Sequence, residues 1–408
     1  MRLQFLILLI LLNSTFLSSG RIESEHRREV SIYRKSIITG ANQVEKYLPY
    51  LKGKRVGMLV NQTSVIGSKS IVDSLLSLGV NIRIIFGPEH GFRSNASNGA
   101  KVADEVYNNT TIPIVSLYGQ KRKPSQKDMD SIDIMIFDIQ DVGCRFFTYI
   151  NTLQDVMEAC TAFGKELLIL DRPNPNGYVD GPILDMNLRS GVGKFPIPIT
   201  HGMTIGEFAQ MINGEGWLEN KEQCKIKVIP VRNYSHDMYY NLPVSPSPNL
   251  NTQQSVLLYP SLCLFEGTCV SQGRGTNMPF TVLGSPDLKG IYNFSFTPVS
   301  IPGKSETPLY QDQVCYGLDL RNYDVTQFRK TGQINIKWLM DMYKIYPFKD
   351  KFFDVRQSKQ MLNIDLLVGT TLFKQQIIEG KTEEEIRKSW EPGLSKYKQM
   401  RHKYLLYP

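Results

Sequence analysis

The chain reads as an α/β protein: a Rossmann-like, mostly parallel sheet with helices on both faces, followed by a smaller α+β domain. Three observations predict this. From about residue 54 to 232, short and continuously apolar runs alternate with helical patterns, as happens where parallel strands are covered on both faces. At Pro243-Val-Ser-Pro-Ser-Pro-Asn-Leu-Asn251 the texture changes to a proline-rich, extended crossing. Finally, 408 residues are more than one core usually organises.

In chain order, Arg2 precedes an apolar run from Leu3 to Leu12, and Ser18, Ser19 and Gly20 follow. This is the pattern of a secretory signal over residues 1–20, too short to cross a bilayer and stop there. The mature protein is therefore expected to be exported, periplasmic or extracellular, with no stable membrane insertion. Residues 21–53 should form a leading helix and linker. The first domain, 54–242, takes strands at Arg55–Val60, Asn81–Phe86, Ile112–Leu117, Asp133–Phe137, Glu166–Leu170 and Lys225–Val231. Helical patterns lie between them, clearest at Ile71–Leu78, Thr148–Phe163 and Thr204–Ile212. The second domain, 243–408, has strands and loops broken by Gly and Pro to about residue 305, then helices at Ile334–Ile345 and near Glu383–Trp390.

Net charge is +8, or +7 once the first twenty residues, with Arg2 their only charge, are removed. The excess is spread along the chain and forms no basic stripe, which argues against nucleic acid. A modest positive balance suits an anionic ligand such as an acidic sugar. Six cysteines show neither a disulfide-framework spacing nor a zinc-site spacing, and Cys160, in an apolar helical pattern, reads as a buried thiol.

Chemistry collects after the strands, where open parallel sheets bind ligands. Phe86-Gly-Pro-Glu-His-Gly-Phe-Arg93 stops the second strand and leaves Glu89, His90 and Arg93 on a loop. Asn61, Gln62 and Thr63 follow the first strand. Asp138, Gln140, Asp141 and Arg145 follow the fourth, and Asp171, Arg172, Asn174 and Asn176 the fifth. No G-x-G-x-x-G opens a helix after the first strand, and no P-loop or G-x-S-x-G elbow occurs, which excludes the usual dinucleotide, nucleotide and serine-hydrolase signatures. The second domain adds Leu264-Phe-Glu-Gly-Thr-Cys-Val-Ser-Gln-Gly-Arg-Gly-Thr276, in which Glu266 and Arg274 could face a cleft. Two carboxylates across a cleft are the machinery of glycoside hydrolysis. Plainer roles compete: Glu89 could cap a helix, Glu266 could pair with Arg274, Asp171-Arg172 could be a local ion pair, and His201 could be structural beside an N-cap at Thr204.

Asn61-Gln-Thr63, Pro88-Glu-His-Gly-Phe-Arg93, Asp138-Ile-Gln-Asp-Val-Gly-Cys-Arg145, Asp171-Arg-Pro-Asn-Pro-Asn-Gly177, Phe265-Glu-Gly-Thr268 and Gly273-Arg-Gly-Thr276 resemble, in this order, the bacterial family DUF1343, now associated with exo-β-N-acetylmuramidases of the NamZ type. His201-Gly-Met-Thr204, Asn213-Gly-Glu-Gly-Trp217, Ser247-Pro-Asn249 and Tyr404-Leu-Leu-Tyr407 fit as well. The resemblance implies an active site in the cleft between the two domains and release of N-acetylmuramic acid from the non-reducing end of peptidoglycan fragments, a step of cell-wall recycling. Its two strongest motifs contain Glu89 and Glu266, which it implies are the catalytic pair, with His90 steering the proton of Glu89. Cys269 and Ser94 depart from the expected Asn and Gly.

On this reading the sugar's lactyl carboxylate calls for a guanidinium from Arg93, Arg145 or Arg274. Asn61, Asp141 and Asn249 would bind hydroxyls or the acetamido group, and no metal or organic cofactor is needed. The rivals are an exported glycan- or solute-binding protein and a hydrolase of another acidic or amino sugar.

Overall fold

The structure, a computed structural model, describes residues 36–89, 91, 92, 105–108, 110–119, 121–354, 358 and 361–408. The expected signal segment, His90 and Arg93 lie outside the described residues. The apolar runs become strands β1 (Arg55–Val60), β2 (Asn81–Gly87), β3 (Glu105–Val106), β4 (Pro113–Ser116), β5 (Ile134–Asp138), β6 (Glu166–Leu170) and β7 (Ile226–Ile229). They form one sheet in the order β7-β6-β5-β1-β2-β4-β3, parallel throughout except where β3 meets β4. Without β3, the parallel strands follow the Rossmann order third, second, first, fourth, fifth, sixth. Its switch point lies between β1 and β5.

Alternation along each strand feeds two cores. Ile134 and Ile136 of β5 join Val56, Met58 and Val60 of β1 beneath helices α1 (Val44–Leu51) and α2 (Ile71–Ser77). Met135 and Phe137 point the other way, into a larger cluster with α3 (Tyr149–Ala162) and α4 (Ile205–Gly214). Each such side chain, fully buried, contributes about 1.5–3 kcal/mol. The larger cluster continues into the second half of the chain through Leu258, Phe265 and Phe280, so Thr39–Pro408 is one compact unit.

That second half carries an antiparallel sheet of β8 (Val282–Ser285), β9 (Phe294–Phe296) and β10 (Cys315–Asp319), with β10 in the middle. Several helices there were not expected, the longest of them α5 (Gln253–Leu262). It is buried on every side from Ser255 to Leu262, so no amphipathic period marks it, and Pro260 stands in its last turn. Proline removes the N–H that the Val256 carbonyl would have accepted. Asn176 Nδ2 donates to that carbonyl instead, at 3.1 Å. Further on come α6 (Lys337–Ile345), α7 (Ile364–Val368) and α8 (Glu383–His402). α8 runs well past the expected Trp390; a Thr382–Glu385 capping box starts it, and Pro392 is tolerated within it. Beyond α8, Tyr407 Oη donates to Asp171 at 2.5 Å, and the Pro408 carbonyl accepts from His236 N at 3.0 Å.

Candidate active site

The polar rim after the strands is largely satisfied by itself. Arg172 pairs not with its neighbour Asp171 but with Asp138, through Nε at 2.6 Å and Nη2 at 2.9 Å, with both side chains buried. Asp171 instead sits at the N-terminus of α4, accepting from Gly206 N (2.8 Å), Thr204 Oγ1 (2.7 Å) and Tyr407. A Cβ at Gly206 would lie 2.9 Å from Asp171 Oδ2, so only glycine lets that amide approach. Burial still outweighs these bonds and raises the Asp171 carboxyl to about 6. Gln140 Nε2 donates to the carbonyls of Asp141 and Pro173.

A cavity of about 330 Å³ opens beside this rim, over the ends of β2 and β4 and the first turns of α3. Glu89 lines it from the loop after β2, and Glu266 from the short helical turn Cys263–Gly267 that continues α5. Glu89 does not cap a helix: Thr148, the residue before α3, donates its hydroxyl to Glu89 Oε2 at 2.9 Å. This places the carboxylate beside the first turn of α3. Glu266 is held differently. Its Oε1 accepts from Gln272 Nε2 at 3.1 Å and from Arg274 Nε at 2.7 Å, with Arg274 Nη2 also at 2.7 Å. Burial works against the Arg274 charge, but Glu266 more than offsets it, and the Arg274 pKa rises. Arg274 also lies over the Phe280 ring, 4.9 Å from its centroid.

Other residues expected to touch substrate do not line the cavity. Arg145 is wholly buried, and its guanidinium donates to the carbonyls of Pro182, Ile197, Leu367 and Val368 at 2.6–3.0 Å. A clamp for a sugar carboxylate needs free donors, so this expectation is corrected: Arg145 ties the β5 rim to α7. Asp141 is buried against Gly143 N (2.6 Å) and 3.5 Å from His201 Nε2. His201 Nδ1 accepts from Met203 N, which places the ring proton on Nε2 toward Asp141, a structural role for both. Asn249 Nδ2 is spent on the Lys304 carbonyl. Asn61 acts one step back, donating to the hydroxyl of Tyr149, which does line the cavity.

Several lining residues escaped sequence reasoning. Phe147 meets Tyr149 edge-to-face at 4.8 Å, and Tyr259 meets Phe280 at 4.9 Å, so aromatic rings from both halves of the chain wall the cavity. Asp155 and Lys194 face it as an ion pair at 2.9 Å, and Arg122 stands exposed at its mouth. The signal was present in part: Thr148, Asn151, Thr152 and Asp155 recur at i, i+3, i+4, i+7, a polar stripe along one face of the helix. All six cysteines are buried and unpaired, Cys160 included. Among the described residues, no three His, Cys, Asp or Glu side chains converge as a metal site requires.

Comparison with known proteins bears on this geometry. Residues 56–254 match the family model described as exo-β-N-acetylmuramidase NamZ, N-terminal, and residues 257–407 match its C-terminal counterpart. The peptidoglycan β-N-acetylmuramidase NamZ of Bacillus subtilis (strain 168) is 37% identical over 380 residues, 88% of this chain and 89% of that protein. A crystal structure of a DUF1343 family protein from Bacteroides fragilis NCTC 9343 superposes with a TM-score of 0.83 at 45% identity, over 91% of this chain and 99% of that one. A second DUF1343 structure from the same organism gives 0.74 at 26% identity over the same shares.

Proposed function

The chain belongs to the exo-β-N-acetylmuramidase NamZ family, and we propose that it acts through an unequal pair of carboxylates, Glu89 as proton donor and Glu266 as anion. The protein is a glycosidase that releases N-acetylmuramic acid from the non-reducing end of peptidoglycan fragments. The observation that carries the assignment of roles is the different holding of the two glutamates in one cavity. Three donors converge on Glu266 Oε1, an arrangement that suits a carboxylate. Glu89 accepts one hydroxyl, on Oε2, and among the described residues none donates to its Oε1, the oxygen assigned here to the glycosidic oxygen.

In this scheme Glu89 protonates the departing oxygen as the glycosidic bond breaks, and the electron pair of that bond leaves with the aglycone. Glu266 faces the positive charge that develops at the anomeric carbon. Water then supplies hydroxide to that carbon, and its proton returns to the emptied carboxylate. His90, next to Glu89 in sequence, would steer that proton. The aromatic wall offers a stacking face for the sugar.

The apolar segment near the N-terminus supports export to the periplasm or beyond, which N-terminal sequencing of the mature protein would check. The assignment of roles is tested with Glu89→Gln on two substrates. A 4-nitrophenyl leaving group needs little protonation, whereas the N-acetylglucosamine of a natural disaccharide needs much. Glu89→Gln should lose about 10²–10⁴-fold on the disaccharide and clearly less on the nitrophenyl glycoside. Equal losses on both would remove Glu89 from the acid's role.

A further inference from the structure

We propose that Lys194 and Arg122, at the Asp155 end of the cavity, take the lactyl carboxylate of N-acetylmuramic acid and thereby select muramic over glucosaminic ends; this rests on the muramidase reading above. The first argument is an inventory of charge. The described cations lining the cavity are Arg122, Lys194 and Arg274. Arg274 is engaged twice by Glu266 and could reach a substrate only by releasing it. Arg145 is consumed by four carbonyls. Lys194 gives one N–H to Asp155 Oδ1, and no other described residue accepts from its remaining two. Arg122 has no carboxylate partner among the described residues.

The second argument is position. Thr148, Asn151, Thr152 and Asp155 form one stripe along α3, so the stripe spans about 10 Å at 1.5 Å per residue. Glu89 is bonded to Thr148 at one end, and Lys194 to Asp155 at the other. Lys123 bonds Glu158, which lies one turn beyond Asp155, and so holds its neighbour Arg122 over the same end. This is roughly the reach of one pyranose with a carboxylate on its 3-O arm, when its anomeric carbon lies at Glu89. The Lys194 and Asp155 side chains are only 18% and 13% exposed, so an ammonium there gains more from an anion than it would at the surface. A sugar lacking the lactyl group would displace water from these cations and offer nothing in exchange. Asp155 is then a positioning residue that orients Lys194.

The test compares wild type, Lys194→Met, Arg122→Gln and Lys194→Arg on 4-nitrophenyl β-glycosides of N-acetylmuramic acid and N-acetylglucosamine. The Met and Gln variants should lose about 10–100-fold in kcat/KM on the muramic substrate, mainly through KM, with a clearly smaller loss on the glucosamine substrate. Lys194→Arg should restore most of that loss. Full discrimination retained in both variants would overturn the proposal. Should Lys194→Met fold poorly because Asp155 is left unpaired, the double variant Asp155→Asn/Lys194→Met keeps the site neutral and carries the same expectation.

A binding arm separates the two readings. If wild type releases nitrophenol from neither glycoside, the muramidase reading falls, and the melting-temperature shift given by free N-acetylmuramic acid over N-acetylglucosamine decides the carboxylate site. Loss of that difference in Lys194→Met supports it. An equal difference in wild type and variant, or none in wild type, sinks it.

Discussion

Replacing Arg145 with Lys separates a structural arginine from a substrate clamp. The guanidinium reaches two pairs of carbonyls, Pro182 with Ile197 at 3.0 and 2.7 Å, and Leu367 with Val368 at 2.9 and 2.6 Å. Burial pulls its pKa down to about 9, so it remains charged at neutral pH. A lysine ammonium is a single point on a shorter stem, able to serve one pair and not both. Two buried carbonyls then lose their donors, at about 1–2 kcal/mol each, for a total of about 2–4 kcal/mol. For a unit spanning Thr39–Pro408, the unfolding entropy of roughly 0.8 kcal/mol/K turns this into a fall in Tm of about 3–5 °C. Calorimetry reads the stability, and initial rates on a muramic glycoside read KM. A lowered Tm with KM unchanged is expected. An unchanged Tm with KM raised tenfold would refute the reasoning and return Arg145 to the substrate.

Further predictions concern the neighbouring polar groups. Asp171 has its folded pKa raised from 3.8 to about 6, so the folded state binds the proton more tightly and stability falls as pH rises between those values. Relative to Asp171→Asn, which has no such titration, wild type should therefore gain up to about 3 kcal/mol on going from pH 7 to pH 4, and a pH-independent difference in Tm would contradict this. Tyr407→Phe leaves one carboxylate oxygen and the Val231 amide with one partner fewer, and denaturant titration should show a loss of about 1–3 kcal/mol. Arg274→Met strips Glu266 of its counter-ion and should lower kcat by at least about tenfold; activity within twofold of wild type would argue against Glu266 as the working anion.

Much of the sheet was legible because a strand buried on both faces must be apolar at every position. β1 and β6 keep the bounds expected of them, Arg55–Val60 and Glu166–Leu170. The place of Glu89 on the cavity wall was legible because a turn that stops a strand has no packing use for an acid. α5 was not, since a helix buried all round carries no period, and Pro260 reads as a breaker until Asn176 is seen to replace its missing donor. Arg145 was misassigned because following a strand fixes where a residue stands and not where its side chain goes. Lys194 and Asp155 are separated by 39 positions, on a loop and a helix, and only the fold makes them one feature.

The bond between Tyr407 and Asp171 spans 236 positions, and it bears on the order in which the chain is made. A ribosome delivers the whole Rossmann sheet long before it delivers the phenol that covers the sheet's buried carboxylate. Until then α4 and the end of β6 enclose a carboxylate with one partner missing. The two halves that the family models recognise separately would, by the same reasoning, make poor independent expression fragments: the first would lack its last hydrogen bond, and the second would have nothing to close.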